Sequence, residues 1–415
     1  MQEKKEARER AALLWNMAGS LVYALTSMLL GVAVTRLSGE AAGGIFFFAF
    51  STLGQQLYII SYFGMRPLQV TDSTHLYSFG DYRRFRIITG LLAGGAGLLY
   101  GLLSTVTPYV RMVWLLLSLY KILDGFADVY ESEMQRQGRL DMTGKATLFR
   151  TLFSVGVFLI GLRITGDLLW ASALFIPAIC VAAVLFSVLP LRGLSPECRV
   201  NKGSSRALFG KSKWLFLGSF LDLYIFAAAK YAVNDQMGEV YSNYFSTIFI
   251  PTSVINLMAG FVIRPILTKL SLLYKTGRRG EFIRLILQIG ALIGGFTLLG
   301  VGAAALFGIP VLKLAMGAAG EALTPYTPAL VLVVLGGGLY ALLNLEYYIL
   351  VILEMQGVIF LMYGAGALLA WGISEGLVRG GGVQGAALAY LLTMLLMALM
   401  FLGAVLWGIF FKESK

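Results

Sequence analysis

The sequence is poor in the residues that build catalytic and metal-binding sites. It holds one histidine and two cysteines, with Cys180 inside an apolar run and Cys198 in a polar loop. No spacing of these residues resembles a metal site or a disulfide framework, and no glycine run is followed by the Lys-Ser/Thr pair of a phosphate-binding loop. We therefore predict no enzyme, no catalytic residue, no bound metal and no cofactor.

Charged residues are also scarce. Only 13% of the 415 residues are charged, whereas 58% are hydrophobic and the mean hydropathy is +0.78. A soluble chain could not bury so much apolar surface, so the sequence predicts an all-α polytopic membrane protein. A hydrocarbon core about 30 Å thick requires roughly 20 apolar residues per crossing. Twelve runs satisfy this length: residues 12–36, 42–64, 85–106, 110–131, 147–164, 168–190, 213–231, 244–263, 284–306, 328–350, 358–377 and 384–411.

Lysine and arginine are distributed unevenly between the connecting segments. Cytoplasmic loops retain these residues, and with the N-terminus inside, most of them fall on the inner side, with Arg86 and Arg150 counted among them. We therefore expect both termini to be cytoplasmic. The net charge of +11 then faces anionic lipid headgroups, and we predict no nucleic-acid partner. The outer side holds only Arg36, Arg111, Arg163, Lys230, Lys313 and Arg379.

Short motifs recur in the same order in the two halves of the chain. FGMRP at 63–67 returns as FVIRP at 261–265, an offset of 198, and W-x-x-x-G-S at 15–20 returns at 214–219, an offset of 199. Ordered recurrence of this kind indicates a duplicated unit. Three further pairs are Thr107–Tyr109 with Thr324–Tyr326, Leu119–Tyr120 with Leu339–Tyr340, and Glu133–Gln135 with Glu354–Gln356.

The duplication predicts two lobes of six helices each. Because six crossings is an even number, both copies enter the membrane in the same orientation, as a parallel pseudo-repeat around a central cleft. We predict an N-terminal lobe over 1–206, with helices 1 to 6, and a C-terminal lobe over 207–415, with helices 7 to 12. The offset rises to 220 (340 minus 120) after the ninth helix, which predicts an insertion on the outer side around Phe307–Leu323.

Ionisable residues in the fourth run form one stripe. Lys121, Asp124, Asp128 and Glu131 are spaced 3, 4 and 3, and they span about 80° of a helix. A charge at membrane depth is costly unless it faces a partner or a water-filled cavity. We predict that Lys121 and Asp124 bind substrate in the cleft and that Asp124 and Asp128 are candidates for ion coupling. The simpler alternative is a self-neutralising i, i+3 pair of Lys121 and Asp124.

Four further residues complete the predicted site. Asp222 lies close to mid-depth, where its first-lobe counterpart is Tyr23, and it either lines the cleft, couples transport to an ion, or hydrogen-bonds another helix. Glu346 faces a different neighbour and is a further candidate for ion coupling. Arg66 and Arg264 end the second and eighth runs on the inner side. They are either anchors at which proline ends the helix or a pair that captures phosphate at the mouth of the cleft.

Three stretches, WNMAGSL at 15–21, TRLSGEAAG at 35–43 and FGMRPLQVTD at 63–72, resemble a known family. The family comprises the polysaccharide exporters and lipid-linked oligosaccharide flippases of the multidrug/oligosaccharidyl-lipid/polysaccharide (MOP) superfamily. In the second stretch, Ser38-Gly39 stands where the family more often has glycine directly after leucine. Twelve spans in two six-helix lobes extend the likeness over the whole chain.

The resemblance implies an alternating-access transporter with a cationic central cavity in the bacterial cytoplasmic membrane. Its substrate would be an undecaprenyl-diphosphate-linked glycan, moved from the inner to the outer leaflet for cell-surface polysaccharide synthesis. Other partners would be membrane lipids and the glycosyltransferases or polymerase of the same pathway, and transport would be coupled to H⁺ or Na⁺. Lys121, Arg66 and Arg264 could supply the cations that a diphosphate needs.

Two alternatives remain. A cation-coupled multidrug exporter of the same superfamily would use carboxylates of the first lobe, where Asp124 and Asp128 are available, although the first run carries no acid. A membrane glycan polymerase or ligase would need catalytic groups in a sizeable outer loop. The predicted insertion offers only Lys313 and Glu321, which makes this second alternative the weaker one.

Overall fold

A computed structural model describes residues 2–72 and 75–410, and for residues 2–9, 261, 262, 264, 265 and 268 it describes the backbone alone. All regular elements of this described part are helical, and they form twelve segments. The segments are α1 (Gln2–Ser38), α2 (Glu40–Thr71), α3 (Phe79–Leu103), α4 (Pro108–Arg136), α5 (Leu140–Thr165), α6 (Leu168–Arg192), α7 (Ser204–Met237), α8 (239–275), α9 (279–316), α10 (Thr327–Ile352), α11 (356–381) and α12 (383–410).

The segments confirm the predicted helical membrane fold, with one segment for each apolar run. Within the described residues, eight helical stretches are long and apolar enough to cross a membrane. Two of these stretches, Arg279–Ile352 and Gln356–Phe410, contain two segments each. The second is divided at Gly382, which has a φ of 56°. α4 is not among the eight because its ionisable stripe interrupts the apolar run.

The chain divides between Phe220 and Leu221 into two compact units. The division falls inside α7, because the first part of this helix packs on α2 of the first unit. The rings of Phe63 and Phe216 stack there with centroids 4.0 Å apart. The predicted lobe boundary at 206/207 follows the sequence repeat and stays a prediction.

α2 departs from regular α-helical geometry at two places. Residues Phe47–Leu53 form a π-helical stretch, a local widening that often occurs at functional sites. Phe63 and Gly64 then adopt left-handed backbone angles, with φ of 50° and 63°, before the helix resumes over Met65–Thr71. The short final part therefore leaves the main axis of α2 and presents its own side chains to α4.

The two Arg-Pro pairs do not end their helices. Pro67 lies inside the final part of α2, where its missing N–H is one that the first helical turn leaves unpaired anyway. α8 continues past Pro265 to Lys275, because neighbouring helices in a membrane can satisfy the carbonyl that a proline frees. The prediction that proline ends the helix beside Arg66 and Arg264 is therefore wrong, and the role of the two arginines as anchors on the inner side stays a prediction.

The repeat is also visible in the backbone. Gly39 precedes α2 with a φ of 90°, and Gly238 precedes α8 with a φ of 81°. The two positions are 199 residues apart, and each glycine is followed by a glutamate at the helix start. Because L-residues rarely adopt such angles, glycine is needed at both turns, and the second helix of each repeat starts in the same way.

α1 and α5 meet through their backbones at two glycines. A Cβ atom on Gly19 would lie 2.4 Å from the carbonyl oxygen of Gly144. Close approach of this kind at glycine is typical of helix pairs in membranes. Gly218, the counterpart of Gly19 in the second W-x-x-x-G-S motif, would meet nothing within 4 Å. The contact brings the polar residues of α1 next to those of α4 and α5.

The region of the predicted insertion is helical. It comprises the end of α9, with Ile309–Met316, and a 3₁₀ stretch over Gly317–Tyr326. Lys313 Nζ donates to Glu321 Oε2 over 2.6 Å. The two groups that the sequence offered to a polymerase or ligase therefore bind each other at the surface.

Candidate functional site

A polar cavity of about 350 Å³ lies within the first unit, between α1, α2, α4 and α5. Its wall consists of hydroxyl, amide and charged side chains, and it includes Arg66 and the three carboxylates of the predicted α4 stripe. The lining residues are Asn16, Ser20, Tyr23, Tyr58, Arg66, Asp124, Asp128, Glu131, Gln135, Thr147 and Arg150.

Asp128 binds two arginines in this cavity. Arg66 of α2 contacts Oδ1, and Nη2 of Arg86 of α3 donates to Oδ2 over 2.6 Å. The hydroxyl of Ser132 also donates to Oδ2, over 3.2 Å. The Arg86 side chain is completely buried, whereas 28% of the Arg66 side chain is exposed, and Arg66 donates in addition to Gln135 over 3.0 Å. Arg66 is therefore the accessible arginine of the pair.

Arg150 of α5 joins the other two carboxylates of the stripe. Its Nη1 contacts Asp124, and its Nε donates to Glu131 over 2.9 Å. The hydroxyl of Tyr23 of α1 donates to Asp124 over 2.7 Å, and the hydroxyl of Thr147 donates to Glu131 over 2.8 Å. Every acidic residue of the α4 stripe is thus held by an arginine, which compensates for the cost of burying the charges.

Lys121 does not pair with Asp124. Its side chain is buried, with 1% exposure, and its Nζ lies 3.8 Å from the ring centroid of Phe50 and 5.6 Å from that of Tyr23. Among the described residues, no carboxylate lies within ion-pairing distance of this ammonium group. The self-neutralising pair that the spacing allowed is therefore wrong, because Arg150 takes the Asp124 carboxylate. Lys121 adjoins the cavity through Tyr23, which belongs to its wall.

In the second unit, Asp222 bonds to a neighbouring helix. The hydroxyl of Tyr340 of α10 donates to Asp222 Oδ2 over 2.9 Å. The structure therefore contains the helix-to-helix hydrogen bond that the sequence allowed for Asp222. Oε2 of Glu346 is buried without a hydrogen-bond partner among the described side chains. The Arg264 side chain lies outside the described residues.

Asp72, the last residue of the FGMRPLQVTD stretch, is a structural carboxylate. Burial alone would raise its pKa, but backbone N–H groups of Leu76 and Tyr77, the Tyr82 hydroxyl and the Arg136 guanidinium together hold the pKa of Asp72 below its ordinary value. Because its charged form is stabilised, this carboxylate suits a structural role, in which it holds Leu76 and Tyr77. It is less suited to taking up and releasing a proton.

Sequence reasoning missed the roles of Arg86 and Arg150. Both were grouped with the basic residues of the inner loops, yet both side chains are buried among the helices. Arg150 lies ten residues after the start of α5 at Leu140, deep enough to reach α4. The available signal was their position inside apolar runs, since an arginine at such a position requires a carboxylate partner.

The fold is similar to that of solved transporter structures. Neither a protein-family model nor a curated protein matches the sequence. A structure described as the inward-facing conformation of a multidrug resistance MATE family transporter of the MOP superfamily matches 96% of this chain and 97% of its own, with a TM-score of 0.72 and 12% identity. The MATE multidrug transporter DinF-BH, solved in complex with a ligand, matches 97% and 96%, with a TM-score of 0.67 and 12% identity.

A third similar structure is that of a MOP superfamily transporter from Pyrococcus furiosus, described by a reverse polarity of its binding pocket that suggests a different function. It matches 96% of this chain and 94% of its own, with a TM-score of 0.62 and 14% identity. At such identities the likeness is one of fold. The chain therefore has the predicted twelve-helix fold of MOP superfamily transporters.

Proposed function

We propose that this chain is an alternating-access transporter of the MOP superfamily, and not an enzyme. Its cargo in this proposal is a lipid-diphosphate-linked oligosaccharide, flipped from the inner to the outer leaflet of a bacterial cytoplasmic membrane for cell-surface polysaccharide synthesis. The other partners are membrane lipids and the glycosyltransferases or polymerase of the same pathway. The transporter fold supports the proposed class of protein, and the charges of the first unit support the proposed cargo.

The choice of cargo rests on the surroundings of the Lys121 side chain. The three carboxylates of the α4 stripe are held by three arginines, whereas Lys121 has aromatic rings and no described carboxylate beside it. A cationic drug would find no free carboxylate in this stripe. An anionic headgroup would find an unpaired ammonium group, and phosphate oxygens bind such a cation through charge-assisted hydrogen bonds.

Arg66 supports the same cargo at the cavity wall. It is partly exposed, and its partner Asp128 also binds Arg86 and Ser132. Arg66 can therefore turn to an incoming phosphate without leaving Asp128 unpaired, which would otherwise be costly. In this proposal Arg66 receives the diphosphate before Lys121 does, and Arg264 has the equivalent role in the second repeat.

Asp222 and Glu346 are the preferred residues for coupling to H⁺ or Na⁺ in this proposal. Asp222 accepts a hydrogen bond from the Tyr340 hydroxyl, and one Glu346 oxygen is without a described partner. A carboxylate with neutral neighbours can take up a cation more readily than one that is paired with arginine. Asp124 and Asp128, the other predicted candidates, are bound by arginines and suit coupling less well.

Flipping by the full-length protein in proteoliposomes tests the proposal. A fluorescent undecaprenyl-diphosphate-linked disaccharide is incorporated, and its arrival in the opposite leaflet is followed by a membrane-impermeant quencher. We expect Lys121→Met to slow flipping at least tenfold, since a charge-assisted hydrogen bond is worth about 1.5–3 kcal/mol, and Lys121→Arg to retain part of the rate. Lys313→Met, in the outer ion pair, is the matched control.

Two results would contradict this proposal at different points. Failure of the wild-type protein to flip the lipid-linked disaccharide would reject the cargo. Wild-type flipping that persists in Lys121→Met, with both proteins inserted and folded equally, would reject Lys121 as a binding residue while leaving the cargo in place.

The second candidate function is a cation-coupled multidrug exporter. It is favoured by the similar structures described as multidrug transporters, and Asp222 would be its coupling residue. For the P. furiosus transporter, a reverse polarity of the binding pocket is described as suggesting a different function. Uptake of a fluorescent cationic dye by the same proteoliposomes under a pH gradient, abolished in Asp222→Asn, would favour this candidate, and the absence of uptake would count against it.

A further inference from the structure

The second unit contains a lysine in surroundings like those of Lys121. Nζ of Lys230, on α7, lies 4.1 Å from the ring centroid of Phe249 and 5.8 Å from that of Phe226. Among the described residues no carboxylate lies within ion-pairing distance of it. By sequence, Lys230 is one of the outer basic residues, and the topology of the chain would explain its presence there. Its contacts with two aromatic rings indicate a more specific role.

The aromatic partners of the two lysines occupy equivalent positions of the repeat. Phe50 and Phe249 are 199 residues apart, the same offset as Gly39 and Gly238 at the starts of their helices. Each ring packs on a phenylalanine one turn earlier. The Phe46–Phe50 centroids are 4.9 Å apart, and the Phe245–Phe249 centroids are 5.7 Å apart.

The lysines themselves are not equivalent in the repeat. Lys121 comes from the fourth helix of its unit, whereas Lys230 comes from α7, the first helix of the second repeat. The same ring position has thus received an ammonium group from two different helices. Simple inheritance of a packing contact does not explain this, because the lysine was supplied separately in each half.

Both rings also lie where the helix is irregular. Phe50 is part of the π-helical stretch Phe47–Leu53. Phe249 stands between the two parts of α8, Glu239–Ile248 and Ile250–Lys275. Irregular turns inside helices often mark functional positions, where they direct side chains that a regular helix would turn away.

An aromatic face stabilises an ammonium group without neutralising it. The ring quadrupole attracts the cation, whereas a carboxylate would cancel its charge. A lysine on a ring thus has no carboxylate partner that would compete with an anion for its ammonium group. In the apolar interior of a membrane, where a charge without a partner is costly, such an arrangement suits a site that binds and releases an anionic ligand.

We propose that Lys230, held on Phe249, is a second binding residue for the phosphate oxygens of the lipid-linked substrate, as Lys121 on Phe50 is in the first unit. This inference rests on the proposed function and extends it to the second unit. Lys230 binds the anion directly, and Phe249 is a positioning residue that holds the ammonium group until the ligand arrives.

Binding of undecaprenyl diphosphate to the purified full-length protein in zwitterionic nanodiscs tests this inference. We expect Lys230→Met to weaken binding about tenfold or more, because it removes a charged hydrogen-bond donor, and Lys230→Arg to restore most of the affinity. Phe249→Leu should weaken binding by a smaller factor, since the charge remains. Lys313→Met removes the same charge from an outer ion pair and serves as the control. Thermal unfolding of each variant verifies folding.

Inorganic diphosphate and phosphatidylglycerol, used in separate titrations, distinguish a lipid diphosphate from a free anion and from a common anionic lipid. Equal affinity of wild type and Lys230→Met for undecaprenyl diphosphate, with Lys121→Met weakened, would overturn the role of Lys230 and leave the proposed function intact. No binding by the wild-type protein would instead reject the proposed function. Affinity that is retained in Lys230→Arg and lost in Lys230→Met would exclude a role of Lys230 in packing alone.

Discussion

The first helix and the fourth helix of each repeat are joined by a tyrosine–carboxylate hydrogen bond, but the two units place the groups in opposite order. In the first unit Tyr23 on α1 donates to Asp124 on α4. In the second unit the carboxylate is Asp222 on α7, and the tyrosine is Tyr340 on α10. Tyr23 and Asp222 are 199 residues apart, as in the sequence repeat. The interhelical bond is therefore common to both halves, whereas the helix that carries the charge differs.

The surroundings of the two carboxylates differ more than the bonds themselves. Asp124 belongs to a network with Arg150 and Glu131, so its charge is matched by an arginine. Asp222 has the Tyr340 hydroxyl as its partner among the described side chains. A duplicated scaffold thus carries a charge-paired interior in one unit and a weakly compensated carboxylate in the other.

The largest expected effect is that of breaking the arginine network. Replacing Arg150 with Met leaves Asp124 and Glu131 without their arginine, and loss of one partner of a buried ion pair typically costs about 3–5 kcal/mol. We expect a free energy of unfolding lowered by this amount, measured by denaturant titration of the purified protein in detergent. Arg163→Met, an exposed arginine of the same helix, is the control, and equal stability of the two variants would show that the network contributes little.

A smaller difference is expected between the two glycines of the W-x-x-x-G-S motifs. Gly19→Ala places a Cβ 2.4 Å from the Gly144 carbonyl oxygen, and overpacking of this kind costs about 1–3 kcal/mol. Gly218→Ala meets nothing within 4 Å and should be neutral or stabilising, because alanine favours the helix by up to about 1 kcal/mol. Thermal unfolding of both variants measures the difference. Equal destabilisation would mean that the two motifs have the same packing role.

The smallest effect concerns the tyrosine bonds. Tyr340→Phe should lower the free energy of unfolding by about 1 kcal/mol, since it removes the hydrogen bond that Asp222 accepts from Tyr340. Tyr23→Phe should cost less, because Asp124 remains bound to Arg150. Denaturant titration of the two variants side by side tests the order. A greater loss in Tyr23→Phe would contradict the view that the first unit is the more strongly compensated one.

Much of the candidate site was accessible from sequence, and some of it was not. Spacing on α4 placed Lys121, Asp124 and Asp128 on one stripe, and the structure brings the two acids to one cavity wall. The same spacing gave the wrong partner for Lys121, because it considered only neighbours on one helix. Asp124 lies 26 residues before its arginine and 101 after its tyrosine, and no local pattern contains that information.

Sequence patterns alone specify the helical membrane fold and its duplication. Hydropathy, helix length and motif offset are local or periodic properties, and they survive in any arrangement of the helices. Tertiary packing decides which side chains share a charge. The sequence groups Arg86 and Arg150 with the loop cations, but in the structure they bind Asp128, Asp124 and Glu131. Lys121 therefore contacts a phenylalanine ring and no carboxylate. Burial makes an unpaired charge costly, so each buried charge pairs with a group on a helix that touches its own. Local sequence patterns do not specify which helices touch.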